Sequence, residues 1–212
     1  RVLLSSLEGY AIVGVKIEGV DHEFATMKGI SEDVVEIFLN LKQVRFKKVV
    51  DHEVTNEKII LSIKNKTEFT AGMIGEGTHT FQIMNPDLLI CTLDSSARMD
   101  IELTIGKGRG YVPAEDNKPK DAPLGYIPID SIFTPIKNVK YTIENTRVEQ
   151  RTDFEKLIME VSTDGTIHPE EAVKQASRIL IQHLMIITDE NITFDNKEEK
   201  KEDLVDEQTL QL

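Results

Sequence analysis

Over residues 11–18, Val13, Val15 and Ile17 alternate with Lys16 and Glu18. A period of two places those three on one face of a half-buried strand. The period then changes. Val34, Ile37, Phe38 and Leu41 fall at i, i+3, i+4 and i+7 behind Ser31, Glu32 and Asp33. This predicts a helix capped by Ser31, with acids in its first turn and Lys42 at its C-terminal end, each suited to the helix dipole. Alternation returns over residues 57–64 through Ile59, Leu61 and Ile63. It returns again over residues 98–105, where Met99, Ile101, Leu103 and Ile105 oppose Arg98, Asp100, Glu102 and Thr104. That last strand is the clearest in the chain.

It runs into Gly106-Lys107-Gly108-Arg109-Gly110-Tyr111-Val112-Pro113-Ala114, with residues 106–110 expected as a loop and residues 115–123, polar and interrupted by proline, as a surface loop. Leu157, Met159 and Val161 alternate with Lys156, Ile158 and Glu160 in a further strand, and Asp164-Gly165 supplies the turn after it. Pro169, followed by Glu170 and Glu171, opens a helix reaching about residue 187. Val173, Ala176, Leu180, Leu184 and Ile187 form one stripe on it, widened by Ala172, Ile179 and Ile186. An apolar surface of that width suits a helix with a core on one side and a partner on the other, and burial within a single domain is the alternative. Residues 195–208 hold seven acids and three lysines, the composition of a solvated linker. No repeat of the solenoid kind is evident.

Composition narrows the possible classes. At 212 residues and 40% hydrophobic content the chain can bury a core as one large domain or two small ones. Its 37 acidic and 25 basic residues give a net charge of −12, which repels a phosphate backbone and favours protein partners over nucleic acid. One cysteine, Cys91, forms neither an internal disulfide nor a thiolate metal site, and this suits a reducing, cytoplasmic setting. No apolar run approaches the roughly 20 residues of a spanning helix, so no membrane contact is expected. The chain opens at Arg1 in mid-pattern, without an initiator Met or a signal pattern, as a fragment would.

Candidate chemistry is sparse. Lys107 and Arg109 between glycines suggest an anion-binding loop. However, neither the dinucleotide fingerprint nor the phosphate-loop spacing is present, and no helix pattern follows. A shape role for the glycines is the simpler expectation. His22, His52, His79, His168 and His183 are scattered and supply no metal pair. The serines lack a nucleophile elbow, and Ser5-Ser6 suits the end of a helix. Glu170-Glu171 sits where a helix dipole favours acids rather than where a catalytic pair is needed. No catalytic residue, metal or cofactor is expected.

Five segments, in order, resemble the N-terminal assembly region of the alpha subunit of bacterial and plastid DNA-directed RNA polymerases. They are Arg1-Val2-Leu3-Leu4-Ser5-Ser6; the helix from Glu32-Asp33 to Leu39-Asn40-Leu41-Lys42; Gly108-Arg109-Gly110-Tyr111-Val112-Pro113-Ala114; Arg147-Val148-Glu149-Gln150-Arg151-Thr152-Asp153; and Asp164-Gly165-Thr166-Ile167 with Pro169-Glu170-Glu171-Ala172. The resemblance implies an α+β fold of two α/β subdomains and a homodimeric, non-catalytic platform on which the beta and then the beta-prime subunit assemble. Residues 1–8 and 136–196 would form the dimerisation part, with helices on an antiparallel sheet. Residues 9–135 would be an inserted, β-rich part and residues 197–212 an acidic linker. The family's opening strand and most of its first dimerisation helix would precede Arg1, and a DNA- and activator-binding domain would follow the linker.

By position, the resemblance assigns Arg1, Leu4 and Glu36 to contacts with beta. It assigns Lys42, Ile129, Ile136 and Lys156 to beta-prime, and Val173, Ala176, Leu180, Leu184 and Ile187 to the dimer interface. Glu36 lies off the Val34, Ile37, Phe38, Leu41 stripe and is thereby free to face a partner. Two rival functions are a small-molecule enzyme using the 106–110 loop and an oligomerisation module unrelated to transcription. An enzyme needs a convergent pocket, whereas a scaffold needs long partner-sized surfaces.

Overall fold

The computed structural model describes residues 1–148 and 151–188; the linker expected at residues 197–212 lies outside them. The fold is α+β. After a one-turn helix α1 (Val2–Ser5), strand β1 (Glu8–Ile17) enters the larger of two bodies. Helix α2 (Val34–Leu41), β2 (Phe46–Lys48), β3 (Asn56–Lys64), β4 (Glu68–Thr70), helix α3 (Ala71–Glu76), β5 (Phe81–Ile83), β6 (Leu89–Thr92) and β7 (Arg98–Arg109) follow. The short strands β8 (Tyr111–Val112), β9 (Ile127–Pro128) and β10 (Ser131–Ile132) lead out of it. A smaller body holds α1, β11 (Ile136–Val148), β12 (Arg151–Thr163) and α4 (Pro169–Thr188).

The larger body is organised by an antiparallel sheet in the order β3-β7-β1-β9. Leu103 on central β7 lies opposite Ile59 on β3 and Val15 on β1, and Ile101 lies opposite Leu61 and Ile17. Such cross-strand rows of branched side chains pack tightly on a pleated face. Met99, Ile101, Leu103 and Ile105 are all buried, as their alternation predicts. The stripe Val34, Ile37, Phe38 and Leu41 of α2 is buried in the same cluster.

Three expectations are corrected. The face Val13, Val15, Ile17 is broken at its first member, because a β-bulge sets both Val13 and Gly14 between the Ile12–Ile105 and Val15–Leu103 pairs, against Thr104 alone on β7. The extra residue resets the alternation, so Ile12 joins Val15 and Ile17 in the core while Val13 is only half-buried. The helix cap is Asp33, whose Oδ1 accepts from the Glu36 amide at 2.8 Å. Ser31 donates its amide to the Thr92 carbonyl, and the Glu32 carboxylate accepts from the Thr92 amide at 2.7 Å. This segment is therefore held at β6 until residue 33, and the helix starts later than Ser31 would place it.

Thirdly, residues 106–109 are not a loop. Strand β7 continues through Arg109, pairing Gly106 with Ala11, Lys107 with Tyr10, Gly108 with Gly9 and Arg109 with Glu8. A Cβ on Gly108 would meet the Phe133 ring at 2.6 Å, so the glycine there admits an aromatic side chain against the strand. Within residues 106–110, only Gly110, at φ +61°, requires glycine for its dihedral.

In the smaller body, β11 and β12 form a long antiparallel hairpin. Only the β12 half is expected from the sequence, yet β11 carries the same period, with Val139, Tyr141 and Ile143 alternating with Lys140, Thr142 and Glu144. At its base Leu7, Ile136, Ala172 and Ala176 form a small buried core, flanked by Val2, Leu3, Val139, Val161, Ile167 and Ile179. The Asp164-Gly165 turn is built as expected, with Gly165 at φ +96° and Asp164 Oδ1 accepting from the Thr166 amide at 3.0 Å and its hydroxyl at 2.6 Å. Helix α4 starts at Pro169 and carries an exposed Glu170–Lys174 pair one turn apart.

Candidate partner-binding surfaces

The apolar face of the hairpin outruns its own core. Val139 and Val161 pack at the base, and the same face continues through the cross-strand pairs Tyr141–Met159 and Ile143–Leu157. Tyr141, Ile143 and Leu157 are 68, 55 and 59% exposed. On α4, Ala176 belongs to the buried core, Val173 is half-buried, and Leu180, Leu184 and Ile187 rise from 50 to 60 to 78% exposure along the helix. Two neighbouring elements thus begin in one small core and carry uncovered hydrophobic side chains away from it, the mark of a contact surface.

A second surface lies on α2. Glu36 is exposed, as its place off the buried stripe predicts, and stands with exposed Val35 and Leu39. Lys42 caps the C-terminus, its Nζ 2.8 Å from Asp130 Oδ2. Lys42 and Ile129 both line a groove of about 200 Å³ beside α2, together with Phe24 and Pro128. Ile129 is 3% exposed and contributes to its floor only. Ile136, equally buried, sits in the small core and presents no side-chain surface. Lys156 is exposed on the polar face of the hairpin, opposite Glu144. Arg1 and Leu4 are exposed at the small body, so the three side chains expected to face beta divide between the bodies, with Glu36 on the larger. Tyr141 and Ile143 were missed because β11 was, and Asp130 because its partner lies 88 residues away.

The cations of the glycine segment are engaged by acids. Lys107 Nζ is 2.8 Å from Glu8 and 3.1 Å from Glu53, and Arg109 is 2.7 Å from Glu8. Hydrogen bonds from Lys107 and then Arg109 hold the Glu8 carboxyl below the usual carboxylate range. With its charge neutralised and its backbone paired in β7, this segment offers no phosphate cradle. Cys91 is buried, and burial pushes its thiol up to about 12, leaving no reactive thiolate. Among the described residues no three His, Cys, Asp or Glu side chains converge as a metal site requires, and no helix is long and apolar enough to cross a membrane.

These features define an α+β protein in which a compact, sheet-centred body is framed by a helix-and-hairpin body. Residues 15–134 match the family described as the RNA polymerase Rpb3/RpoA insert domain, and the chain belongs to that family. Over all 212 residues it is 60% identical to the DNA-directed RNA polymerase subunit alpha of Cytophaga hutchinsonii and 54% identical to that of Bacteroides fragilis. Over 188 residues, 89% of this chain and 56% of the relative, it is 52% identical to the same subunit of Chloroherpeton thalassium. The chain spans 64% of the length of the first two relatives.

Proposed function

We propose that this chain is the assembly region of a DNA-directed RNA polymerase alpha subunit: a non-catalytic, cytoplasmic scaffold that dimerises and receives the beta and beta-prime subunits. The observation that carries this reading is the pair of uncovered apolar faces, Ile143 and Leu157 on the hairpin and Leu184 and Ile187 on α4. The curated relatives carry that subunit's name over the whole of this chain. Obligate interfaces bury about 2,000 Å² or more in total, and two elongated apolar elements suit that demand better than a small pocket does. Leu180, Leu184 and Ile187 are the dimer candidates, with half-buried Val173 at their edge. Arg1, Leu4 and Glu36 are offered to beta, and Lys42 and Lys156 to beta-prime. Residues 1–8 and 136–196 would act as the dimerising part and 9–135 as the insert, with no cofactor and no direct nucleic-acid contact. The small-molecule enzyme is not favoured, since the segment it relied on is a paired strand.

The test is co-expression of the full-length protein with beta and beta-prime, followed by sedimentation of the complex and of the protein alone. The protein alone is expected to sediment as a dimer. Leu184→Glu should convert it to monomer, because an unpaired charge in a buried contact costs on the order of 3 kcal/mol. Dimerisation unchanged by Leu184→Glu would place the interface elsewhere, and failure to co-purify with either large subunit would overturn the scaffold function.

A further inference from the structure

The chain passes between the two bodies twice, at residues 6–9 and again at residues 132–136, and the two crossings touch. Gly9 and Gly108 are direct cross-strand partners at the end of the central sheet. Phe133 lies on both. A Cβ on Gly9 would meet the Phe133 carbonyl, and one on Gly108 would meet its ring at 2.6 Å. The paired glycines thus form a saddle that seats the second crossing against the first, with Phe133 buried in it. The Phe133 amide donates to the Gly110 carbonyl at 2.8 Å, so its backbone is held as well as its ring.

Arg45 closes the same joint from another element. It follows α2 in the larger body, where Asn85 Oδ1 accepts from its amide at 2.9 Å. Its guanidinium donates to the Ile132 carbonyl at 3.3 Å, one residue before Phe133, and stands 3.8 Å from Asp164 Oδ2 in the smaller body. Asp164 uses its other oxygen for the Thr166 amide and hydroxyl, while its own amide donates to the Pro135 carbonyl at 3.0 Å. Residues 132–136 are therefore gripped from both bodies, and Ile136 already lies in the small core.

We propose that Phe133 and Arg45 are positioning residues that lock the angle between the two bodies, so that one partner subunit meets side chains from both at once. The inference rests on the scaffold reading above, in which the residues offered to each large subunit divide between the bodies. Arg1 and Leu4 join Glu36 for beta, and Lys156 joins Lys42 for beta-prime. The dimer candidates, in contrast, all lie on α4. A loose joint leaves the docking-competent angle populated only part of the time, and apparent affinity falls by that fraction. Dimerisation through one body does not feel the joint, and this asymmetry separates positioning from a general loss of structure.

Two readouts on the full-length protein test this. Spin labels at Lys64→Cys and Lys174→Cys, exposed positions in the larger and the smaller body, report the distance between the bodies by double electron–electron resonance, in protein diluted with an unlabelled excess. Arg45→Met removes both contacts of the guanidinium. Phe133→Leu keeps an apolar side chain and removes the flat ring over Gly108. Each is expected to broaden the distance distribution. If the competent angle falls to about a fifth of the population, capture of beta and of beta-prime should weaken about 5-fold, with sedimentation still that of a dimer. Arg45 belongs to neither buried cluster, so its variant keeps the test open should Phe133→Leu fail to fold. Distributions as narrow as that of the unaltered protein overturn the lock. So does a broadened distribution with undiminished capture, or a loss of capture accompanied by loss of the dimer. An unaltered protein that captured neither large subunit would overturn the scaffold reading, a failure distinct from those of the lock.

Discussion

The two bodies distribute their hydrophobic residues in opposite ways. Among the described residues, 26 hydrophobic side chains form one buried cluster in the larger body, while only four are buried together in the smaller. The larger body has strands on both sides of β7 and a helix on its inner face, so its alternating residues find partners within the chain. The smaller body has a two-stranded hairpin and two helices of very different length, and a lone hairpin is marginal without packing against something else. Equal hydrophobic patterning thus has two outcomes, burial where neighbouring elements exist and exposed binding surface where they do not.

The largest expected effect separates core from surface. Leu103→Ala removes a fully buried side chain lying opposite both Val15 and Ile59 and should cost about 3 kcal/mol in chemical denaturation. Ile143→Ala on the exposed hairpin should stay within about 0.5 kcal/mol in the isolated chain. A comparable loss at both would show that the hairpin face is covered within the chain and would remove the distinction between the bodies.

A smaller effect probes the seam. Asp164 is nearly buried, accepts two hydrogen bonds from Thr166, and lies 3.8 Å from Arg45 of the larger body. Asp164→Ala leaves the Thr166 amide without its acceptor and should cost about 2 kcal/mol. If the bodies unfold independently, the loss will appear in probes of α4 but not of the central sheet. Hydrogen exchange resolved by segment would distinguish the two cases.

The smallest effect is pH-dependent. Glu8, at the start of β1, pairs with Lys107 and Arg109 of β7 within the larger body, and its folded pKa is lowered from the ordinary glutamate value. The stability it lends is present above the unfolded value and is lost as pH falls through the lowered folded one. Solvent screening keeps the contribution small, because the carboxylate is well exposed. Glu8→Gln should slightly lower the melting temperature at neutral pH and leave it nearly unchanged well below about pH 4.5, so that its decline in acid is flatter. An identical acid profile in the variant would show that the pair contributes nothing measurable.

Periodicity alone was sufficient for β3, the 98–105 part of β7, α2 and α4, because the geometry of a strand or helix is imposed by local backbone sterics and shows directly as a period of two or 3.6. The apolar stripe of α4 was equally legible, including the Leu180, Leu184 and Ile187 positions that emerge exposed. What the chain could not reveal locally was which residues meet. The bulge at Val13 depends on register with β7, and the strand character of residues 106–109 depends on pairing with β1 about 100 positions earlier. The ring accommodated at Gly108 comes from Phe133, and the partner of Lys42 lies 88 residues on. The exposure of the hairpin face was likewise decided by the tertiary structure, since a period of two records that one face is apolar and not whether another element arrives to cover it.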